Sequence, residues 1–207
     1  MDEGGRSKLE SEIRGLCERG DHAGAATRLL QGYGPEVYGL LVAVHRNEVD
    51  ASEAFSDLAL AVWSGLPRFA WQSSARTWAY AIARNVLRTR KRDAARRIKR
   101  AGSADTSAIE AVVEQVRTGT AAFLRTEKRT RLEALRDSLP EEDRMLLVLR
   151  IDRRLPWNDL VRVLHGGAED ETLEEAEIAK EAARLRKRFQ LVKDRLRKMA
   201  EEEGLLE

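Results

Sequence analysis

The sequence predicts an all-α protein: two small helical domains joined by a linker, the second with a helix-turn-helix. Three observations carry this expectation. Apolar residues recur at helical spacing in successive segments, no run alternates convincingly with period two, and glycine and proline fall at the ends of the periodic segments.

Residues 1–24 read as an N-terminal extension in which Leu9, Ile13 and Leu16 share a helical face. The segment either docks on the first domain or on a regulator, or it frays. The first domain spans residues 25–100. Val37, Leu40, Leu41 and Val44 fall at i, i+3, i+4 and i+7, as do Phe55, Leu58, Ala59 and Val62, with Trp63 extending the second stripe. The second helix is expected to start at Asp50, capped by its own side chain while Glu53 reaches back, and to stop at Gly65 before Pro67. After a loop from Phe69 to Ser74, a third helix runs from Ala75 to Arg92. It buries Trp78, Ile82 and Val86 and turns Arg84, Arg88, Lys91 and Arg92 outward. Trp63 and Trp78 lie on apolar stripes and are assigned to the core. Residues 101–120 read as the linker, because the run from Ala101 to Ser107 is small and polar and buries too little apolar surface to fold by itself.

The second domain, residues 121–207, opens with a helix over Ala121 to Asp137. It continues from Pro140 to Ile151 with Met145, Leu146 and Leu149 inward, then adds a short helix from Pro156 to His165. Both prolines suit a first helical turn, where a missing N–H is harmless. The last helix carries the inward stripe Leu185, Phe189, Val192, Leu196 and Met199. Short helix, connection and basic amphipathic helix are the order of a helix-turn-helix. An acidic insertion, residues 166–181, makes this connection longer than the usual turn of about three or four residues. Thr172 with Glu175 makes a capping box, so the acidic stretch is expected to be largely the start of the final helix.

The 37 basic and 35 acidic residues nearly cancel, but they are segregated. Residues 84–100 hold nine Arg or Lys against one acid, residues 184–198 eight against one, and residues 169–181 seven carboxylates against one Lys. One basic run is most simply a solvated helix face; two on separate helices favour a polyanion. The single cysteine, Cys17, excludes an internal disulfide and a cysteine-rich zinc site. His22, His45 and His165 have no partner at ligand spacing, so neither a metal nor a cofactor is expected. No Gly-rich phosphate loop, His-Glu-x-x-His element or nucleophile elbow occurs, and Glu141-Glu142 sits in a helical first turn, so the chain reads as no enzyme. Without a signal-peptide core or an apolar run of spanning length, it is expected in the cytoplasm with no membrane insertion.

Residues 66–92 carry most of the functional signal. An aromatic, polar loop set against a helix that turns basic suits an unpaired DNA strand, because rings stack on any base while Arg and Lys follow the phosphates. Trp71 either stacks on a base or covers the core. Asn85 has the amide needed to pair with a base edge, and on the last helix Arg186 or Arg188 has the reach for bidentate donation to guanine.

Leu66-Pro67-Arg68-Phe69 and Ser74-Ala75-Arg76-Thr77-Trp78-Ala79-Tyr80-Ala81-Ile82-Ala83-Arg84-Asn85 form the most specific pattern in the chain. Before them stand Asp50-Ala51-Ser52-Glu53 and Phe55-Ser56-Asp57-Leu58, closing on Trp63. Together they resemble the extracytoplasmic-function (group IV) sigma factors of bacterial RNA polymerase, in the sigma-70 family. The resemblance covers residues 25–95 well and residues 130–200 more weakly, through Leu139-Pro140, the helix Pro156 to His165, and Arg184-Leu185-Arg186-Lys187-Arg188-Phe189.

The resemblance implies a first domain that binds core polymerase and melts the −10 promoter element, and a second that reads the −35 element. By position it implies polymerase contact at Glu53, Asp57 and Leu58. It implies −10 contact at Phe69, Trp71, Gln72, Ser73, Ser74, Arg76, Thr77, Arg84, Asn85 and Arg88. For the −35 element it implies Arg184, Arg186, Lys187, Arg188 and Lys193. The implied partners are the clamp and flap regions of core RNA polymerase, promoter DNA and an anti-sigma factor. Three features depart from the family: Trp71 stands where glycine is frequent, Pro156 replaces a usual Ser or Thr cap, and the acidic insertion lengthens the connection. A free-standing helix-turn-helix regulator working without core polymerase would share the charge pattern, and polymerase dependence separates the two.

Overall fold

The computed structural model describes residues 1–93, 110–118, 131–165 and 173–205, and among them every regular element is helical. The helices are α1 (Glu3–Glu18), α2 (His22–His45), α3 (Glu48–Gly65), α4 (Ala75–Asp93), α5 (110–118), α6 (Arg131–Asp137), α7 (Glu141–Leu147), α8 (Trp157–Leu164) and α9 (Glu175–Glu202). A 3-10 turn, Leu66–Arg68, follows α3, and a wide π turn, Val148–Asp152, follows α7. No helix among the described residues is long and apolar enough to cross a membrane.

Short polar side chains set the first helix starts. Asp2 accepts from the Gly5 N–H and opens α1, and Asp21 does the same for α2 through Gly24. Helix α3 begins two residues before the expected Asp50. Arg46 turns left-handed (φ 58°), which leaves Asn47 extended with its side chain accepting from the Val49 N–H, so Asn47 takes the cap. The N-terminal extension docks rather than frays: Leu9 and Ile13 are buried against α2.

Two expectations about the middle of the chain are corrected. Residues 110–118, assigned to the linker, are helical and bury Val112, Val113 and Val116. Gly34 of α2 permits the approach, since a Cβ there would meet Val116 and Phe55 at 3.1 and 3.2 Å. The expected continuous helix from Pro140 to Ile151 instead passes into the π turn at Val148. Pro140 and Pro156 each stand one residue before a helix, at φ −52° and −59°. The acidic stretch joins α9 only from Glu175 onward: Glu174 precedes the first turn and its side chain makes no cap bond, which corrects the expected start at a Thr172–Glu175 capping box, while Thr172 itself and residues 121–130 of the expected helix lie outside the described residues.

The two halves share one apolar core, in which Leu40, Phe55 and Tyr80 are contiguous with Leu146, Leu149, Leu160, Val161 and Leu185. Buried Arg144 ties them further. It donates to the carbonyls of Ala43 and Val44 in the last turn of α2, at 3.3 and 2.8 Å, and to those of Asp137 and Leu139 at 3.0 and 2.9 Å. A cation on otherwise orphaned helix-end carbonyls is favoured by both hydrogen bonding and the helix dipole.

Candidate nucleic-acid interface

The loop before α4 is a small aromatic stack. Phe69 lies 4.6 Å from Trp78, stacked, and 4.8 Å from Trp71, tilted. Trp71 is half-buried with φ 58°, a left-handed conformation costing a bulky residue on the order of 1–2 kcal/mol. Its backbone therefore has the conformation glycine adopts freely, and Phe69 with the Arg14 guanidinium, 5.5 Å from the Trp71 ring, holds the side chain there. Gln72 and Ser74 are exposed and Ser73 is half-buried.

The start of α4 is fully occupied. The Ala75 and Arg76 N–H groups donate to the Glu10 carboxylate of α1 at 2.8 and 3.1 Å, the Thr77 N–H to Ser74 Oγ at 3.0 Å, and the Trp78 N–H to the Ser74 carbonyl at 3.0 Å. The usual orphan donors of a helix N-terminus are thus satisfied, and no N–H is left there for a phosphate. Glu10 also accepts from the buried Tyr33 hydroxyl at 2.7 Å; burial first, then Glu10 itself, pushes that phenol far above its ordinary value. Sequence reading missed Glu10 because its partners lie far along the chain and no local motif marks it.

The expected strand-contact residues separate into two groups. Arg76 and Thr77 are only 8 % and 2 % exposed. Arg76 forms a bidentate pair with Glu36 at 2.6 and 2.9 Å and donates to the Arg153 carbonyl at 2.9 Å, so it serves as an internal tie in this arrangement. This corrects its expected place beside DNA, and it displays why a charged residue can sit inside: its Nε and Nη2 donors meet a carboxylate and a carbonyl. Further along α4, Arg84 and Asn85 are half-buried and Arg88 is exposed. Burial, with Arg88 alongside, holds the Arg84 guanidinium below its ordinary value while Glu142 opposes. The side chains of Lys91 and Arg92 lie outside the described residues.

On α3, Glu53 and Asp57 are exposed and both pair with Arg90 of α4. Arg90, unrecognised within the basic run, bridges both carboxylates and offsets part of the negative charge of this face. Leu58 is 1 % exposed and packs inward, which corrects its expected polymerase contact. On α9, Arg184, Arg186, Lys187 and Lys193 are exposed, but Arg188 pairs with Asp143 at 2.7 Å and Glu142 at 3.0 Å on α7. Half-buried Trp157 at the start of α8 receives Arg150 at 4.8 Å and Arg186 at 5.5 Å from its ring and meets Phe189 edge-on at 5.6 Å. Trp157 thereby holds Arg186 at the mouth of the α8–α9 pair. Neither it nor Arg150 was anticipated, although an aromatic residue after proline at the short helix was the available signal.

Helix α4 is held by α1, α2, α3 and α8; its first nine residues are buried, and its accessible parts are the preceding aromatic loop and the turn from Arg84 to Arg88. A search of curated proteins finds no match to this chain. Residues 29–97, from within α2 through the whole of α3, the aromatic loop and α4, match the family model for sigma-70 region 2, so this segment carries a sigma-70 region 2 domain.

Proposed function

We propose that the chain is an RNA polymerase sigma factor of the extracytoplasmic-function type, working in the cytoplasm with core polymerase and promoter DNA and subject to an anti-sigma factor. The reading rests chiefly on the sigma-70 region 2 match over residues 29–97, which coincides with the aromatic loop and the basic, outward end of α4. Glu53 and Asp57, presented together by Arg90, supply the surface for the polymerase clamp. Phe69, Trp71, Gln72, Ser73 and Ser74 hold a base flipped from the non-template strand. Rings and short polar groups offset the few kcal/mol that unstacking and unpairing cost. Arg84 and Arg88 follow the phosphates and Asn85 reads a base edge. In the second half, Arg184, Arg186, Lys187 and Lys193 meet the −35 duplex while the polymerase flap supports the unit.

Run-off transcription with core polymerase on a promoter library tests this. The chain is expected to direct initiation from a discrete promoter class. Combined Arg84→Ala and Arg88→Ala should weaken binding and lower the salt slope by about 0.9 for each phosphate that is no longer neutralised. Duplex binding with no polymerase dependence would point instead to a free-standing helix-turn-helix regulator.

A further inference from the structure

Trp78, Phe69, Trp71 and Arg14 follow one another in contact, with successive separations of 4.6, 4.8 and 5.5 Å. Trp78 is buried, Phe69 and Trp71 are half-buried, and the Arg14 side chain is 61 % exposed. The aromatic stack therefore ends at the surface in a cation. That cation comes from α1, ahead of the residues that match the family model. Its position is fixed by the helix that carries it. Glu10, one turn before Arg14 on the same face, accepts from the Ala75 and Arg76 N–H groups, and Leu9 and Ile13 are buried beneath. Helix α1 is thus fastened to the helix into which the aromatic loop leads.

A strand whose base stacks on Trp71 brings its backbone phosphates to the loop, and each needs a cation or a donor. The sources at this end of α4 are committed elsewhere. The N–H groups of residues 75–78 are bonded, and Arg76 is paired inside with Glu36. Arg84 stands nine residues beyond Ala75, roughly 14 Å along the helix axis. Arg68 is exposed in the turn before Phe69, whereas Arg14 lies over the Trp71 ring itself. The Arg14 Nε donates to Glu18 at 3.2 Å, one turn along α1, and both side chains are more than 60 % exposed. Such a pair contributes little and exchanges readily for a phosphate, which a guanidinium can bind with two donors. The left-handed backbone of Trp71 is the kind of strain retained where a side chain must be presented to a ligand.

We propose that Arg14 is a strand-binding residue: its guanidinium leaves Glu18 to pair with the backbone phosphate beside the base stacked on Trp71. The site for the unpaired strand then spans α1 as well as the loop and α4, and Arg14 supplies the charge that Arg76, turned inward, does not. The inference rests on the strand-binding reading of the aromatic loop.

The full chain assembled with core polymerase, on a promoter found by run-off selection, reads this contact through salt. Arg14→Ala should lower the slope of log affinity against log salt by about 0.7, the share of one single-strand phosphate. Between about 50 and 200 mM salt the wild type then weakens about 2.6-fold more than the variant. Arg14→Lys should keep the wild-type slope. Lys8→Ala removes the same charge from another exposed position of α1 and should keep it too. An unchanged slope in Arg14→Ala overturns the proposal, and so does an equal loss in Lys8→Ala. Independently, a methylphosphonate, which neutralises one phosphate, is moved along the non-template strand of the −10 element. At one position it should weaken wild-type binding several-fold and leave Arg14→Ala binding unchanged, because the two changes remove the same contact. Equal losses with both proteins at every position overturn the proposal even if Arg14→Ala disturbs the loop. A wild-type chain that forms no promoter complex with core polymerase sinks the strand-binding reading itself, whereas an active chain whose salt slope ignores Arg14 sinks only this inference.

Discussion

Glu10 is the residue on which the position of the aromatic loop most depends, and its removal has a calculable effect. Its carboxylate accepts from the Ala75 and Arg76 N–H groups and from the Tyr33 hydroxyl, all within 3.1 Å. Hydrogen bonds to a charged group contribute about 1.5–3 kcal/mol each, but in helix capping the measured loss averages about 1 kcal/mol because water recovers part of it. Water cannot readily reach Tyr33, which is 1 % exposed, so its hydroxyl would remain orphaned. Glu10→Ala should therefore cost about 3 kcal/mol, a large share of a typical stability of about 5–15 kcal/mol. Glu10→Gln keeps an acceptor oxygen and should cost about half as much. Tyr33→Phe alone should cost about 1 kcal/mol, and the double variant should fall short of additivity by a similar amount because the two share a bond. Urea unfolding reads these values as shifts in midpoint at constant slope. A Glu10→Ala chain within about 0.5 kcal/mol of wild type, as expected of an ordinary surface change, would refute the assignment of Glu10 as the cap of α4.

Three further outcomes follow from the same geometry. Arg76→Ala strips a buried pair of its cation and should destabilise the chain by about 3–5 kcal/mol, while Arg76→Ala with Glu36→Ala recovers part of that loss; a stable single variant whose DNA binding drops one phosphate from its salt slope would return Arg76 to the interface. Trp71→Gly relieves a left-handed backbone but gives up the packing on Phe69 and Arg14, so stability should change by less than about 1 kcal/mol, while strand binding weakens by about 1–3 kcal/mol for the missing stack; undiminished strand binding would make Trp71 a cover for the core only. Burial raises the Asp159 carboxyl above its ordinary value, against the opposing effects of Arg162, Thr77 and Arg76. A raised acid binds its proton more readily folded than unfolded, so its burial cost is present at neutral pH and is relieved as pH falls through the raised value. The stability advantage of Asp159→Asn should accordingly shrink on acidification, and a pH-independent difference would contradict this.

Much of the first half was legible because its helices bury single stripes: Val37 to Val44 and Phe55 to Val62 lie in the core at the spacing read from the sequence. The same stripe already put Leu58 inside. Assigning it by family position to a polymerase surface set analogy against periodicity, and packing decided. Arg76 could not be placed from its neighbours, because its burial depends on Glu36 forty positions away and on a carbonyl from the second half. Residues 110–118 were absorbed into the linker because the polar run before them dominated the composition, though Val112, Val113 and Val116 have helical spacing. The shared core of the two halves had no sequence signal, since periodicity specifies which side of a helix is buried and not which helix buries it.

Permanganate reactivity of thymines at the −10 element, in a complex of core polymerase, promoter and this chain, tests the central claim most directly. The account predicts reactive, unpaired thymines that depend on the chain and disappear together when Arg84→Ala and Arg88→Ala are combined. Thymines that stay protected with a folded, polymerase-bound chain, or that open equally well without those two arginines, would contradict it.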